Sequence, residues 1–155
     1  MKAISLWQPW ASAIAMGLKS IETRSWSTSY RGLLVIHAAK RWTKHQDAIL
    51  RESTLDPLVV GLPLGAIIAV GRLVDCRPVD QLILDRRERR WGDYSAGRFG
   101  WTLTHVERLR EPIPFIGRQG LFTVPLLVED AILAQLSKPD SLRSETSGGS
   151  NVTSA

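Results

Sequence analysis

The chain has 155 residues, of which 44% are hydrophobic and 23% charged, a composition that excludes a fibrous or wholly disordered polypeptide and supplies one core rather than two. Its apolar runs, such as Leu33 to Ile36 and Ala66 to Val70, fall far short of the roughly 20 residues that cross a bilayer, so no membrane partner is expected. Lys plus Arg outnumber Asp plus Glu by 20 to 15, a formal charge of +5, which suits a polyanionic partner without requiring one.

The opening MKAISLWQPW lacks the apolar region and small-residue cleavage site of a secretory signal. The single cysteine, Cys76, forms no intramolecular disulfide, and no Cys/His spacing suits zinc. The expectation is a cytoplasmic protein with no metal and no cofactor.

In chain order, Lys2 to Leu6 reads as a strand, and Pro9 starts a helix whose apolar positions Trp10, Ala13, Ile14 and Met16 recur at helical spacing until Gly17 ends it. Ser20 to Trp26 alternates as a strand does, with Glu22, Arg24 and Trp26 sharing one face. A polar turn leads into a buried strand over Leu33 to Ala38, followed by a helix over Thr43 to Glu52 with Thr43 as N-cap and a loop over Pro57 to Pro63. Gly65 to Asp75 is the next strand, Val79 to Arg90 suits a helix with a basic end, and Trp101 to Leu109 alternates again. A connection rich in Pro and Gly leads to a strand at Leu121 to Val124, and Pro125 begins a last helix reaching about Leu136. Residues 138–155 are polar or small apart from Leu142 and Val152, so one folded domain over 1–137 with a disordered tail is expected.

Two stretches carry candidate chemistry: Ser5 to Ala11, which contains Trp7, Gln8 and Trp10, and Gly17 to Trp26, which contains Lys19, Glu22 and Arg24. A strand, a helix and a second strand fold back on themselves, so Trp7 and Gln8 can approach Glu22 and Arg24. Lysine, glutamate and arginine within six residues, flanked by tryptophan, supply a proton-transfer pair, a phosphate clamp and a stacking surface. Plainer roles are open for each: Lys19 as a solvated residue beyond a helix C-terminus, Glu22 and Arg24 as a surface ion pair, the tryptophans as core or rim, and His37 and His105 as hydrogen-bonded structural residues. Lys40 and Arg41, beyond the His37 strand, and Arg98 in its glycine-rich segment are further phosphate candidates. That segment has neither P-loop nor dinucleotide spacing.

The order Ser5-Leu6-Trp7-Gln8-Pro9-Trp10-Ala11, the Gly17-x-Lys19-x-x-Glu22-x-Arg24 signature, the Tyr30-Arg31-Gly32 turn, Gly65-Ala66-Ile67-Ile68, Phe99-Gly100-Trp101 and Pro112 to Phe122 together resemble the ASCH family, the activating signal cointegrator homology domains of the PUA-like superfamily. The resemblance covers residues 2 to 124 and implies an α+β fold: a strongly bent β-barrel flanked by short helices, with a cleft beside the signature for RNA or a nucleotide. It implies two activities in different members, RNA binding and hydrolysis of RNA or of an acylated nucleoside such as N4-acetylcytidine.

The deacetylating members use a lysine, a threonine and a glutamate. The lysine falls on Lys19, but Glu22 occupies the threonine position, and the family's glutamate has no assigned counterpart, so that mechanism does not carry over intact. The leading expectation is therefore RNA or nucleotide binding through Trp7, Gln8, Arg24, Trp26, Lys40 and Arg98, with DNA as the alternative polymer. The second is a metal-independent hydrolase in which Lys19 and Glu22 are catalytic, in acid/base or oxyanion roles. A third, a protein-interaction module with a merely structural polar cluster, requires a buried Glu22–Arg24 pair and no cleft.

Overall fold

The computed structural model describes residues 1–52 and 61–136; the expected Pro57 to Pro63 loop lies largely outside them, and the expected disordered tail entirely so. The elements run β1 (Lys2–Leu6), α1 (Trp10–Ala15), β2 (Ile21–Arg24), β3 (Gly32–Ala38), α2 (Lys44–Glu52), β4 (Ala66–Pro78), α3 (Arg86–Arg89), β5 (Phe99–Pro114), β6 (Leu121–Thr123) and α4 (Leu126–Leu133). The six strands form one sheet in the order β2-β5-β4-β3-β1-β6, antiparallel except for the β1–β3 pair. The sheet is curled into a half-barrel, the α+β architecture that the resemblance implied.

The curl comes from the long β4–β5 pair, whose register shifts three times. Each shift sets unequal numbers of residues against one another, and such bulges bend and twist a strand. At one of them His105 adopts φ 48°, which turns it to solvent and ends the simple alternation expected from Trp101 onward. Gly71 lies opposite, where a Cβ would come within 3.0 Å of Val106.

Alternation in the strands divides the core between two faces. Inside the curl, Ile4, Leu6, Leu34, Ile36, Ile68, Leu73, Trp101 and Leu103 are buried beneath Ala11, Ile14 and Ala15 of α1. Outside it, Ala3, Val35, Ile67, Val70, Leu109 and Phe122 pack with Ile132 of α4 and Leu136 beyond it. Burying each such aliphatic side chain stabilises the fold by about 1.5 to 3 kcal/mol before conformational entropy is charged against it.

Gln8, expected to face a ligand, is fully buried. Its Oε1 accepts from the Ser12 N–H at 3.0 Å, and its Nε2 donates to Ser12 Oγ at 2.8 Å and to the Pro63 carbonyl at 2.9 Å. Gln46 donates to the Gln8 carbonyl at 2.8 Å and accepts from the Thr43 N–H at 2.6 Å. The two amides thus lash the start of α1 to the start of α2, and the Gln8 side chain is taken up by the scaffold.

The helix expected over Val79 to Arg90 is interrupted. A 3₁₀ turn over Val79–Gln81 gives way to extended backbone at Leu82, and α3 begins only after Asp85, whose side chain accepts from the Glu88 N–H. Leu82 packs against Gly100 so closely that a Cβ there would lie 2.3 Å from it. A tertiary contact and a local N-cap outweigh helix propensity here.

His37 is buried and structural. Its Nε2 faces the Phe115 carbonyl at 2.9 Å, an acceptor only, so Nε2 carries the proton and Nδ1 accepts from Ser5 Oγ at 3.0 Å. Gly117 closes over the pair, since a Cβ there would lie 2.4 Å from both the ring and Ser5 Oγ. Burial pushes the His37 pKa below its ordinary 6.5, so as pH falls the unfolded chain takes up this proton first. The stability contributed by neutral His37 is complete above about pH 6.5 and is lost as pH falls toward the folded value, by at most about 1.4 kcal/mol per pH unit. Urea titrations from about pH 7.5 to about pH 5 are expected to show this loss in the native sequence and a shallower one in His37→Gln; equal slopes would assign the acid sensitivity to other groups.

Candidate functional site

The signature opens where α1 ends. Gly17 takes φ 69°, a left-handed conformation that glycine adopts without strain, and the chain turns so that the Leu18 and Lys19 N–H groups donate back to the Ala13 carbonyl. Lys19 is thereby driven inward and is 1% exposed. It is not the solvated residue that a position beyond a helix suggests.

The Lys19 ammonium donates to the Ile21 carbonyl and, at 3.5 Å, to the Tyr94 hydroxyl. It stands 3.9 Å from Glu22 Oε2 and 3.9 Å from Glu88 Oε1, and 5.5 Å from the centroid of the Tyr94 ring. Burial lowers its pKa, and that effect outweighs the two carboxylates, which raise it; Arg24 and Arg98 lower it further.

Glu88 is the residue that organises this corner. One carboxylate oxygen accepts from the Ser20 N–H at 2.9 Å and Ser20 Oγ at 2.8 Å, the other from the Ile21 N–H at 3.0 Å and the Tyr94 hydroxyl at 2.8 Å. Burial raises the Tyr94 pKa, and the bond to Glu88 raises it further, so the phenol keeps its proton. Neither residue stands out in the sequence as a site residue. Glu88 sits in a run of arginines that reads as a solvated helix face, and only its spacing from the Asp85 cap betrays that it points inward.

β2 presents Glu22 and Arg24 on one face, as its alternation required, while Ile21 and Thr23 are buried on the other. Arg24 Nε lies 3.2 Å from Glu22 Oε1, and Arg24 Nη2 donates to the Ser5 carbonyl at 2.8 Å, tying β2 to the end of β1. The Nε–H does not point at the carboxylate, so the contact is an ion pair without a hydrogen bond. Arg98 Nη2 donates to the Thr23 carbonyl at 3.1 Å, and its Nε lies 3.6 Å from Asp93.

These groups border a cleft of about 1000 Å³, at the upper end of ordinary ligand sites. Trp7, Trp10, Trp26 and Trp91 contribute aromatic surface, Arg24, Arg87, Arg90 and Arg98 contribute cations, and Lys19 and Glu22 lie in the same wall. Trp7 is 42% and Trp26 36% exposed. Trp26 is held edge-on to Trp101 at 4.6 Å, and Trp7 carries the Arg41 guanidinium 5.2 Å above its ring. A cleft at this place is what a purely structural polar cluster did not require.

Five of the residues expected to bind nucleic acid or act in catalysis therefore come together with Trp7: Lys19, Glu22, Arg24, Trp26 and Arg98. Gln8 and Lys40 do not line the cleft. Lys40 is exposed, its stem lying along Gly65, and its neighbour Arg41 is the cation that reaches Trp7. Arg87, Arg90 and Trp91 join from an element whose sequence gave no sign of it. Among the described residues no group of three or more His, Cys, Asp or Glu side chains is arranged to hold a metal, and no helix is long and apolar enough to cross a membrane.

Removing the Glu88 carboxylate leaves the Ser20 and Ile21 N–H groups and the Ser20 hydroxyl without their acceptor, the Tyr94 hydroxyl with the Ile21 carbonyl alone at 3.2 Å, and Lys19 with one fewer counter-charge. Glu88→Ala is expected to lower stability by about 3 to 5 kcal/mol, the range for breaking one side of a buried charged network, read as a shift of the urea midpoint; a loss under about 1 kcal/mol would mean that water replaces the carboxylate.

The profile of the ASCH domain family matches residues 4–113. Over 81 residues the chain is 33% identical to activating signal cointegrator 1 of Homo sapiens and, equally, of Mus musculus; the stretch amounts to 47% of this chain and 14% of each relative, so only a small part of those proteins is spanned. Among solved structures, ASCH from Zymomonas mobilis superposes with a TM-score of 0.53 at 17% identity, covering 86% of this chain and 93% of that one. A mutant ASCH protein of the same organism gives 0.53 and 17%, covering 86% and 96%. At that identity the likeness is one of fold, and it agrees with the curled sheet described above. The match over most of the described sheet makes the chain a member of the ASCH domain family.

Proposed function

We propose that this ASCH domain binds single-stranded RNA, or a nucleotide from it, in the cleft between β2 and α3. The observation that carries the reading is the joint lining of one cleft by four tryptophans and four arginines. Aromatic faces stack bases at about 1 to 3 kcal/mol each, and guanidinium groups pair with phosphate oxygens in two-pronged fashion. Arg24 and Arg98 are held by backbone carbonyls of Ser5 and Thr23, so both are positioned before a ligand arrives and little side-chain entropy is lost on binding. DNA offers the same phosphates and bases, and the 2′-hydroxyl is what separates the two polymers at such a site.

A hydrolytic reading is favoured by one further observation: a buried lysine with a lowered pKa stands 3.9 Å from a carboxylate in the cleft wall. In that reading Glu22 takes a proton from water as the oxygen adds to the acyl carbon of an N4-acylated cytidine, and the Lys19 ammonium stabilises the oxyanion. The C–N bond then breaks, the proton held by Glu22 passes to the leaving nitrogen, and a carboxylic acid and cytidine are released.

Binding is expected to weaken with salt by a log–log slope of about −0.7 per phosphate engaged. Titrating tryptophan fluorescence with a short single-stranded RNA and its DNA counterpart at about 50 and about 200 mM salt measures this; a flat salt response would remove the phosphate contacts from the reading. Mass spectrometry of RNA and of N4-acetylcytidine after incubation tests hydrolysis. Product lost in Lys19→Ala and Glu22→Gln would establish an enzyme, whereas turnover retained in Glu22→Gln would take Glu22 out of the mechanism.

A further inference from the structure

The run Asp85-Arg86-Arg87-Glu88-Arg89-Arg90 looks charge-balanced in sequence but is not so in space. Glu88 is turned inward and committed to Ser20, Ile21 and Tyr94, and the Asp85 side chain accepts from the Glu88 N–H. Neither acid pairs with an arginine beside it. Arg86, Arg87, Arg89 and Arg90 are all exposed. The Arg87 side chain donates to the Gly17 carbonyl at 3.0 Å, while the side chains of Arg86, Arg89 and Arg90 make no hydrogen bond or ion pair with any described residue.

Four like charges within five residues repel one another at a short helix, where side chains three and four apart are neighbours. The patch is continuous with the cleft, because Arg87 and Arg90 are part of its lining and Arg86 and Arg89 carry the charge outward from it. Guanidinium groups suit phosphate diesters, which accept paired N–H bonds and stay ionised across the whole physiological range. A strand leaving the cleft past Arg87 and Arg90 can bring the phosphates of flanking nucleotides to Arg86 and Arg89.

We propose that the arginine face of α3 holds the sugar–phosphate backbone of nucleotides flanking the one in the cleft, so that the site takes a base within a strand and not a free nucleoside or mononucleotide. The inference rests on the nucleic-acid reading of the cleft and adds the class of ligand to it. Arg86 and Arg89 supply strand contacts, and the cleft groups hold the nucleotide itself.

The test uses the full chain and its Arg86→Gln/Arg89→Gln variant, two exposed positions outside the cleft lining, with folding checked by thermal melting. Each protein is titrated with a short mixed-sequence single-stranded RNA, with the four nucleoside monophosphates separately, and with poly-glutamate. The native chain is expected to bind the RNA at least about tenfold more tightly than any monophosphate, and the variant to lose about tenfold on RNA, with its salt slope shallower by about 1.4, the effect of two lost phosphate contacts on a single strand. Monophosphate binding is expected to be equal in the two proteins. RNA affinity unchanged in the variant, or RNA bound no more tightly than a monophosphate, overturns the strand proposal and leaves the cleft reading intact. Poly-glutamate bound as tightly as RNA and weakened equally in the variant assigns the face to an acidic polypeptide and overturns it as well. Absence of binding by RNA and monophosphates alike overturns the cleft reading, and the strand proposal with it.

Discussion

The Glu88 carboxylate accepts four hydrogen bonds from three residues: the N–H and hydroxyl of Ser20, the N–H of Ile21 and the phenol of Tyr94. That convergence is the constraint on which the cleft depends. β2 is a strand of four residues at the edge of the sheet, with β5 as its only strand partner among the described residues, and its first residues are fixed by an acid from another element. Once they are fixed, the Ile21 carbonyl is positioned to receive Lys19, and Glu22 and Arg24 are set at successive positions of one face.

Lys19 is held where water would otherwise solvate it, by a carbonyl, a phenol and two carboxylates at 3.9 Å. A buried ammonium in such company need not rearrange when a ligand arrives, which is the property that electrostatic recognition and oxyanion stabilisation share. The same polar corner thus serves a binding role and a hydrolytic one, and the difference between them lies in what the bound group offers to Glu22. The aromatic residues divide similarly: Trp101 is wholly buried and braces Trp26, whereas Trp7 and Trp26 keep about two-fifths of their surface open.

Much of the fold was legible in the sequence because it obeys local periodicity. β1, α1 and β3 fall within a residue of where alternation and the Pro9 and Gly17 signals set them, and the face shared by Glu22 and Arg24 followed from strand period alone. Failures came where a distant contact decides. The helix over Val79 to Arg90 is broken by Leu82 packing on Gly100 and by the Asp85 cap. The fold-back that brings Trp7 toward Glu22 and Arg24 leaves Gln8 buried, because a helix start packed against another has unpaired groups of its own to satisfy. Lys40 lay at the right strand end, but Arg41, one residue on, takes the side that faces Trp7. Glu88 was hidden most thoroughly, for in a run of charges only its spacing from the Asp85 cap distinguishes it from its neighbours.

The sheet order also carries a consequence for how the chain is assembled. β1 lies between β3, with which it runs parallel, and β6, with which Ala3 pairs at Phe122. During synthesis β1 therefore acquires one neighbour early and the other only after about 115 further residues have been made, roughly 6 to 23 s later at ordinary elongation rates. Throughout that interval one edge of β1 has its backbone groups unpaired, on a strand whose inner face is already apolar. Such an edge is a template for the wrong strand, so the period of greatest aggregation risk falls during synthesis and closes when Leu121–Thr123 arrives.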